Sequence, residues 1–303
     1  MWTISDFPAY SMLSGWTTHG RLACPYCMDE TDAFWLPNER KTSWFDCHRR
    51  FLSRNHALRR NKKNFRKNRV VSNSSPLELT GDEILFERIE DCVRSYGLGV
   101  TTEVGGNGHL PIQGYGEYHN WHKKSIFWEL PYWRHHKLRH NLDVMHIEKN
   151  FFDNIINTVL NVPQKSKDNP NSRKDIKSIC LRKELELTED GKAPVPVFRV
   201  FGEAQKNFFR WLKDDIKFPD GYSSNLARCV DIGGNKLTGM KSHDCHVFMQ
   251  RLLPIAFAEL LPHHVHESLS GISSFFRVIC SRTLKLEDIT MLKQNIVLVD
   301  VPV

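Results

Sequence analysis

The 303-residue chain lacks any run of about 18 apolar residues, the length a helix needs to cross a bilayer, so no membrane span is expected. Its eight cysteines are too sparse over this length for a disulfide scaffold. The opening Met1-Trp2-Thr3-Ile4-Ser5-Asp6 shows no basic stretch followed by an apolar one, as a secretory signal would. Reduced thiols in a nuclear or cytosolic setting are therefore expected. Glycines cluster at Gly105, Gly106, Gly108, Gly114 and Gly116, but neither the dinucleotide nor the Walker spacing occurs, so this stretch reads as an irregular loop. There is no internal repeat. Acidic residues are nearly absent between Arg40 and Arg69, where twelve Lys or Arg accompany the single Asp46. Such a block creates a local positive potential suited to a polyanion, although a merely solvated basic face is the competing view.

Apolar residues make up 40% of the chain, enough for a sizeable core in one large domain or two modest ones. Trp2, Ile4, Phe7 and the following Ala9-Tyr10-Ser11-Met12-Leu13 read as core-forming material. Their position suggests either a lost upstream strand or helix, or a first strand docked directly into a sheet. Thr80-Gly81-Asp82-Glu83 reads as a capping box opening a helix through Ile84, Leu85, Ile89 and Val93, with Gly97 to end it. From Asp143 to Leu160 two apolar rows recur every four residues, Ile147, Phe151, Ile155, Val159 and Phe152, Ile156, Leu160, which predicts an amphipathic helix. Further helices are expected at about 174–184, 202–215, 244–261 and 268–296. The division expected is 1–70 as a first core segment, 71–137 as linker and variable insertion, and 138–303 as a mostly helical region. The fold class is α/β.

Two sets of residues carry candidate chemistry. Cys24-Pro25-Tyr26-Cys27, then Cys47-His48 and His56, offer thiolate and imidazole ligands. The C-x-x-C turn can present two sulfurs to one ion, and the later group can complete a tetrahedral structural zinc. A redox pair or ordinary core cysteines are the alternatives. Around this zinc-knuckle-like insertion, Arg49, Arg50, Arg54, Arg59, Arg60, Lys62, Lys63, Arg66 and Lys67 are candidate phosphate contacts, with no evidence of base readout. Among the acidic residues, Asp143-Val144-Met145-His146 sets two polar groups three apart, and Asp244-Cys245-His246 pairs a carboxylate with an imidazole. Converging carboxylates can hold Mg²⁺ or Mn²⁺ for phosphoryl transfer, whereas a helix cap is the commoner role of any single one.

The stretches Trp2-Thr3-Ile4-Ser5-Asp6-Phe7-Pro8-Ala9-Tyr10-Ser11-Met12-Leu13-Ser14-Gly15-Trp16, Cys24-Pro25-Tyr26-Cys27, Phe45-Asp46-Cys47-His48-Arg49-Arg50-Phe51-Leu52 and Leu138-Arg139-His140-Asn141-Leu142-Asp143-Val144-Met145-His146-Ile147-Glu148-Lys149-Asn150 run in order. Pro219-Asp220-Gly221-Tyr222 and Lys241-Ser242-His243-Asp244-Cys245-His246 follow. Together they resemble the transposase of plant CACTA, or En/Spm-type, elements. The resemblance implies a partial RNase-H-like core and a cut-and-paste DNA transposase using an acidic triad with Mg or Mn. It implies DNA partners at transposon terminal repeats, a homo-oligomer or an accessory element-encoded protein, and a nuclear location. Asp6 then matches the second triad member, Asp143 and His146 the Asp-x-x-His signature, and Asp244 a weaker acidic candidate. The first aspartate is expected upstream of Met1, and no segment resembling the family's final Pro-x-Glu-Arg occurs before Val303. The expectation is a catalytically incomplete fragment. The alternatives are a DNA- or protein-binding remnant, or a decayed transposon-derived product.

Overall fold

The computed structural model describes residues 2–66, 68–90, 92, 114–222 and 225–295. The chain divides into two compact units, Met1–Asp143 and Val144–Val303. The strands of the first are β1 (Thr3–Ser5), β2 (Phe34–Leu36), β3 (Lys41–Ser43) and β4 (His140–Leu142). Its helices are α1 (Phe7–Ser14), α2 (Ala57–Arg60) and α3 (Gly81–Ile84).

β1 pairs with β4 in parallel, Thr3 opposite His140, Ile4 opposite Asn141 and Ser5 opposite Leu142. Parallel neighbours cannot be joined by a tight turn, so the rest of the unit forms the crossover. Asp6 leaves β1 in an extended conformation and caps α1, its carboxylate accepting the Ala9 N–H at 2.9 Å. Pro8 sits in the first turn, where its missing N–H costs nothing. Gly15 then ends the helix at φ 86°, its N–H bonded to the Ser11 carbonyl. A Cβ there would lie 2.1 Å from the Lys123 carbonyl oxygen, so only glycine fits.

The opening residues do not form the expected core: Trp2, Ile4 and Met12 are 62%, 65% and 69% exposed. β1 has a partner on one edge, and α1 packs against β1 and β4. Trp2 and Ile4 share the opposite face of the pleat and meet no second layer. The core of the unit lies further along, where Trp16 and Trp121 meet edge to face at 5.1 Å among Leu22, Met28, Ile84 and Ile89. The Asn120 amide gathers the carbonyls of Thr17, His19 and Leu22 around that contact. Thr80 and Glu83 form the expected capping box at α3. The helix then widens into a π-type turn over Leu85–Ile89. Val93, Gly97 and the glycines from Gly105 to Gly108 lie outside the described residues.

The second unit is largely helical: α4 (Val144–Val159), α5 (Pro170–Ile179), α6 (Gly202–Arg210), a small hairpin of β5 (Val230–Asp231) and β6 (Lys236–Leu237), α7 (Ser242–Val247), α8 (Leu253–Ala256), α9 (His263–Ile279) and α10 (Leu286–Asn295). α4 buries Glu148, Phe152, Ile156 and Val159 and packs against α7. Phe152 meets Phe248 at 5.2 Å, and Phe208 stacks on Phe257 at 5.3 Å. Each such ring is worth about 1.5–3 kcal/mol of burial. Asn169 caps α5, and the buried Arg173 bonds both oxygens of Asp168, which also receives Arg199.

The architecture is mixed α/β with a large helical region. Among the described residues every sheet is two-stranded, β1 with β4, β2 with β3 and β5 with β6, so the expected RNase-H-like topology is not formed there. Strand β4 joins 138–143 to the first unit rather than to the helical remainder. No described helix is long and apolar enough to cross a membrane.

Candidate functional site

Asp6 follows β1 and Asp143 follows β4, at the same ends of two parallel partners in register. The Asp143 N–H donates to the Ser5 carbonyl at 2.8 Å, extending the ladder to this point. Neighbouring strands run about 4.8 Å apart, so the two carboxylates leave adjacent backbone positions. Oxygen donors so placed suit a hard divalent cation, which takes six or so oxygen ligands. No described cluster of three possible metal-ligand atoms includes either residue. Two carboxylates are fewer oxygen ligands than such a cation takes.

His146 is exposed in the first turn of α4, and Asp143 precedes that helix instead of belonging to it. Asp244 is buried, and its carboxylate accepts the Lys241 N–H at 3.0 Å. It thus serves the start of its own helix, the commoner role of a lone acidic residue there.

The cysteine and histidine group does not converge on an ion. Cys24 and Cys27 do meet, the Cys27 N–H lying 3.3 Å from the Cys24 sulfur. The Cys27 thiol donates to Cys24 and pulls its pKa down to about 6 against the opposing effect of burial, while Cys27 is raised. Cys47 instead faces the Phe45 carbonyl and the Arg66 guanidinium, and burial, aided by Asp32, pushes its thiol up to about 12. His56 caps α2 by accepting the Leu58 N–H, and His48 is exposed. Among the described residues, no cluster of three ligand atoms draws on Cys24, Cys27, Cys47, His48 or His56. The zinc-knuckle reading is not supported by this geometry.

An ion-pair network organises the segment. Asp46 adopts the left-handed region at φ 65° and is fully buried with Arg49, their side chains paired at 3.0 Å. Arg49 also donates to the carbonyls of Leu58 and Asn61 and lies over the Phe65 ring at 4.2 Å. Arg66 reaches the other oxygen of Asp46 at 2.9 Å and stacks on Phe34. Arg59, also buried, donates to the carbonyls of Arg49, Arg50, Val71 and Asn73. These fixed, planar donors tie together the backbone carbonyls of the segment.

The same stretch carries the likeness to known proteins. Residues 1–91 match the family model described as Transposase family tnp2. This links the chain to the transposases. No curated protein and no solved structure matches it. The transposase-like segment contains Asp6, the Cys24/Cys27 pair and the whole Asp46 network. Asp143 lies beyond it, brought beside Asp6 by the strand pairing.

The arginine network redraws the candidate phosphate contacts of the transposase-related segment. Arg49 and Arg59 are buried and spend their donors internally, so they are not available to a duplex. Arg50 is committed to Glu30 and the Ser74 carbonyl, and Arg66 to Asp46 and Asp32. Arg54, Arg60, Lys62 and Lys63 remain exposed, and Lys67 lies outside the described residues. A residue count could not separate these two populations, because both types share one basic run.

Sequence reasoning missed one group. Glu148, His246 and Cys280, all in the second unit, each bring a ligand atom within 4.8 Å of the others. They are 98 and 34 positions apart in sequence, so no local spacing marks them. The available hints were an acidic residue on the apolar face of α4 and the His246 imidazole, and nothing in the sequence joined them.

Proposed function

We propose that the chain belongs to the catalytic region of a cut-and-paste DNA transposase of the plant CACTA (En/Spm-type) kind, acting on terminal-repeat DNA in the nucleus. The observation that carries this is the parallel register that sets Asp143 beside Asp6, within a chain whose first 91 residues match a transposase family. On this reading β1 and β4 are two strands of an RNase-H-like core. Strand cleavage needs charge neutralised at both the attacking and the leaving oxygen. Two carboxylates are too few for that task, so this polypeptide binds DNA without cutting it. Exposed Arg54, Arg60, Lys62 and Lys63 supply the phosphate contacts.

The test is incubation of the purified chain with a terminal-repeat duplex and Mg²⁺ or Mn²⁺ over a salt series. Salt-dependent binding without strand breaks is expected. Robust cleavage contradicts the partial centre, and absence of binding at about 50 mM salt contradicts the DNA reading. A binding remnant without catalytic ancestry in use is the second reading, favoured by the exposed basic residues alone. The two separate on Mn²⁺: the transposase reading predicts tighter DNA binding that Asp6→Asn abolishes, whereas a pure basic face is only screened.

A further inference from the structure

We propose that Glu148, His246 and Cys280 form a structural zinc site that ties α4, α7 and the C-terminal end of α9 together within the second unit. Glu148 points inward from the apolar face of α4 and is fully buried, the inner neighbour of Phe152 one turn on. His246 stands in the last turn of α7, its Nδ1 against the Glu148 carboxylate. Cys280 is the residue that closes α9, its N–H bonded to the Phe276 carbonyl. Three elements distant in sequence thus deliver one carboxylate, one imidazole and one thiol to a single point, with ligand atoms within 4.8 Å of one another.

The donor set selects the ion. Mg²⁺ and Mn²⁺ favour oxygen-rich sites, whereas a thiolate, an imidazole and a carboxylate together suit the borderline-soft Zn²⁺. Tetrahedral zinc holds its ligand atoms about 3.5 Å apart, so closing the site asks side-chain shifts of about 1 Å. Electrostatics favours the same outcome. No lysine or arginine pairs with Glu148 among the described residues, and a buried carboxylate beside one imidazole is poorly compensated without a cation. Gln250 steadies the group, its amide donating to Glu148 Oε1 at 2.9 Å and to the Phe276 carbonyl at 3.2 Å. Such outer partners orient a ligand before the metal arrives.

The test uses the full chain, stripped with chelator and titrated with Co²⁺ and Zn²⁺. One equivalent of Co²⁺ should bind with a thiolate-to-cobalt charge-transfer band, and Zn²⁺ should displace it. The band should survive the double variant Cys24→Ser/Cys27→Ser and vanish in Cys280→Ser and in His246→Asn. X-ray absorption of the wild-type zinc form should show one sulfur and otherwise nitrogen or oxygen neighbours, a measurement that needs no variant to fold. A band lost with Cys24 and Cys27, a shell of two or more sulfurs, or no bound metal in the wild type would each overturn the proposal. None of these outcomes depends on Asp6, Asp143 or DNA.

Discussion

Replacing Arg49 by alanine separates the two roles assigned to the basic run. Arg49 and Asp46 are both completely buried, and the substitution leaves the Asp46 carboxylate inside the first unit with Arg66 as its remaining cationic partner. Removing one member of a buried ion pair costs about 3–5 kcal/mol. The Asn61 carbonyl also loses its Arg49 donor, at about 1–3 kcal/mol where water cannot reach it, while that of Leu58 keeps the Asn61 N–H. These terms share one network and do not add, so the loss expected is about 3–5 kcal/mol. Domain stabilities run to about 5–15 kcal/mol, so the variant should sit near the edge of folding. Seven of the eight tryptophans lie in the first unit, which makes urea unfolding followed by tryptophan fluorescence the natural assay. Arg54→Ala, an exposed neighbour, should shift the same curve by no more than about 0.5 kcal/mol. A loss below about 1 kcal/mol for Arg49→Ala, or equal losses for the two variants, would refute the division into buried organisers and exposed contacts.

The triple variant Arg54→Ala/Lys62→Ala/Lys63→Ala should fold normally yet lower the slope of log affinity against log salt by about 3 in a duplex titration, and an unchanged slope would remove these residues from the interface. Burial, with help from Arg139, pulls His140 down from 6.5 to about 4, so its folded form resists protonation. The contribution is therefore intact above about pH 6.5, and stability should fall as the pH drops from there toward about 4; the same titration on His140→Gln should be flatter, and identical curves would count against the assignment. Cys24, held low by the Cys27 thiol, should be the fastest cysteine to alkylate at neutral pH, and Cys27→Ala should slow it; mass spectrometry showing Cys47 reacting first would contradict this.

Local signals in the sequence translated well into local structure. The Thr80–Glu83 box formed because its two hydrogen bonds lie within one turn. The four-residue apolar rows of α4 formed because helical geometry alone aligns them, with Phe152 and Ile156 buried as expected. Long-range consequences were less legible. Trp2 and Ile4 looked like core, but the burial of a strand face depends on a second layer that its own residues do not specify. The basic run concealed two kinds of arginine, since only the fold turns Arg49 and Arg59 inward toward carbonyls. The Cys24/Cys27 and Cys47/His48/His56 grouping suggested zinc, yet among the described residues these ligand atoms form no cluster of three. Nothing in the sequence joined Glu148, His246 and Cys280, because three helices had to assemble before they met.

The pairing of β1 with β4 carries the functional reading, and cross-linking tests it most directly. A disulfide requires Cα atoms within about 4.4–6.8 Å, a range that adjacent parallel strands satisfy. The double variant Asp6→Cys/Asp143→Cys, oxidised gently and mapped by peptide mass spectrometry, should yield a cross-link between positions 6 and 143 in the folded protein. Failure to form that link, while both introduced thiols remain reactive in folded protein, would contradict the adjacency on which the proposed acidic pair stands.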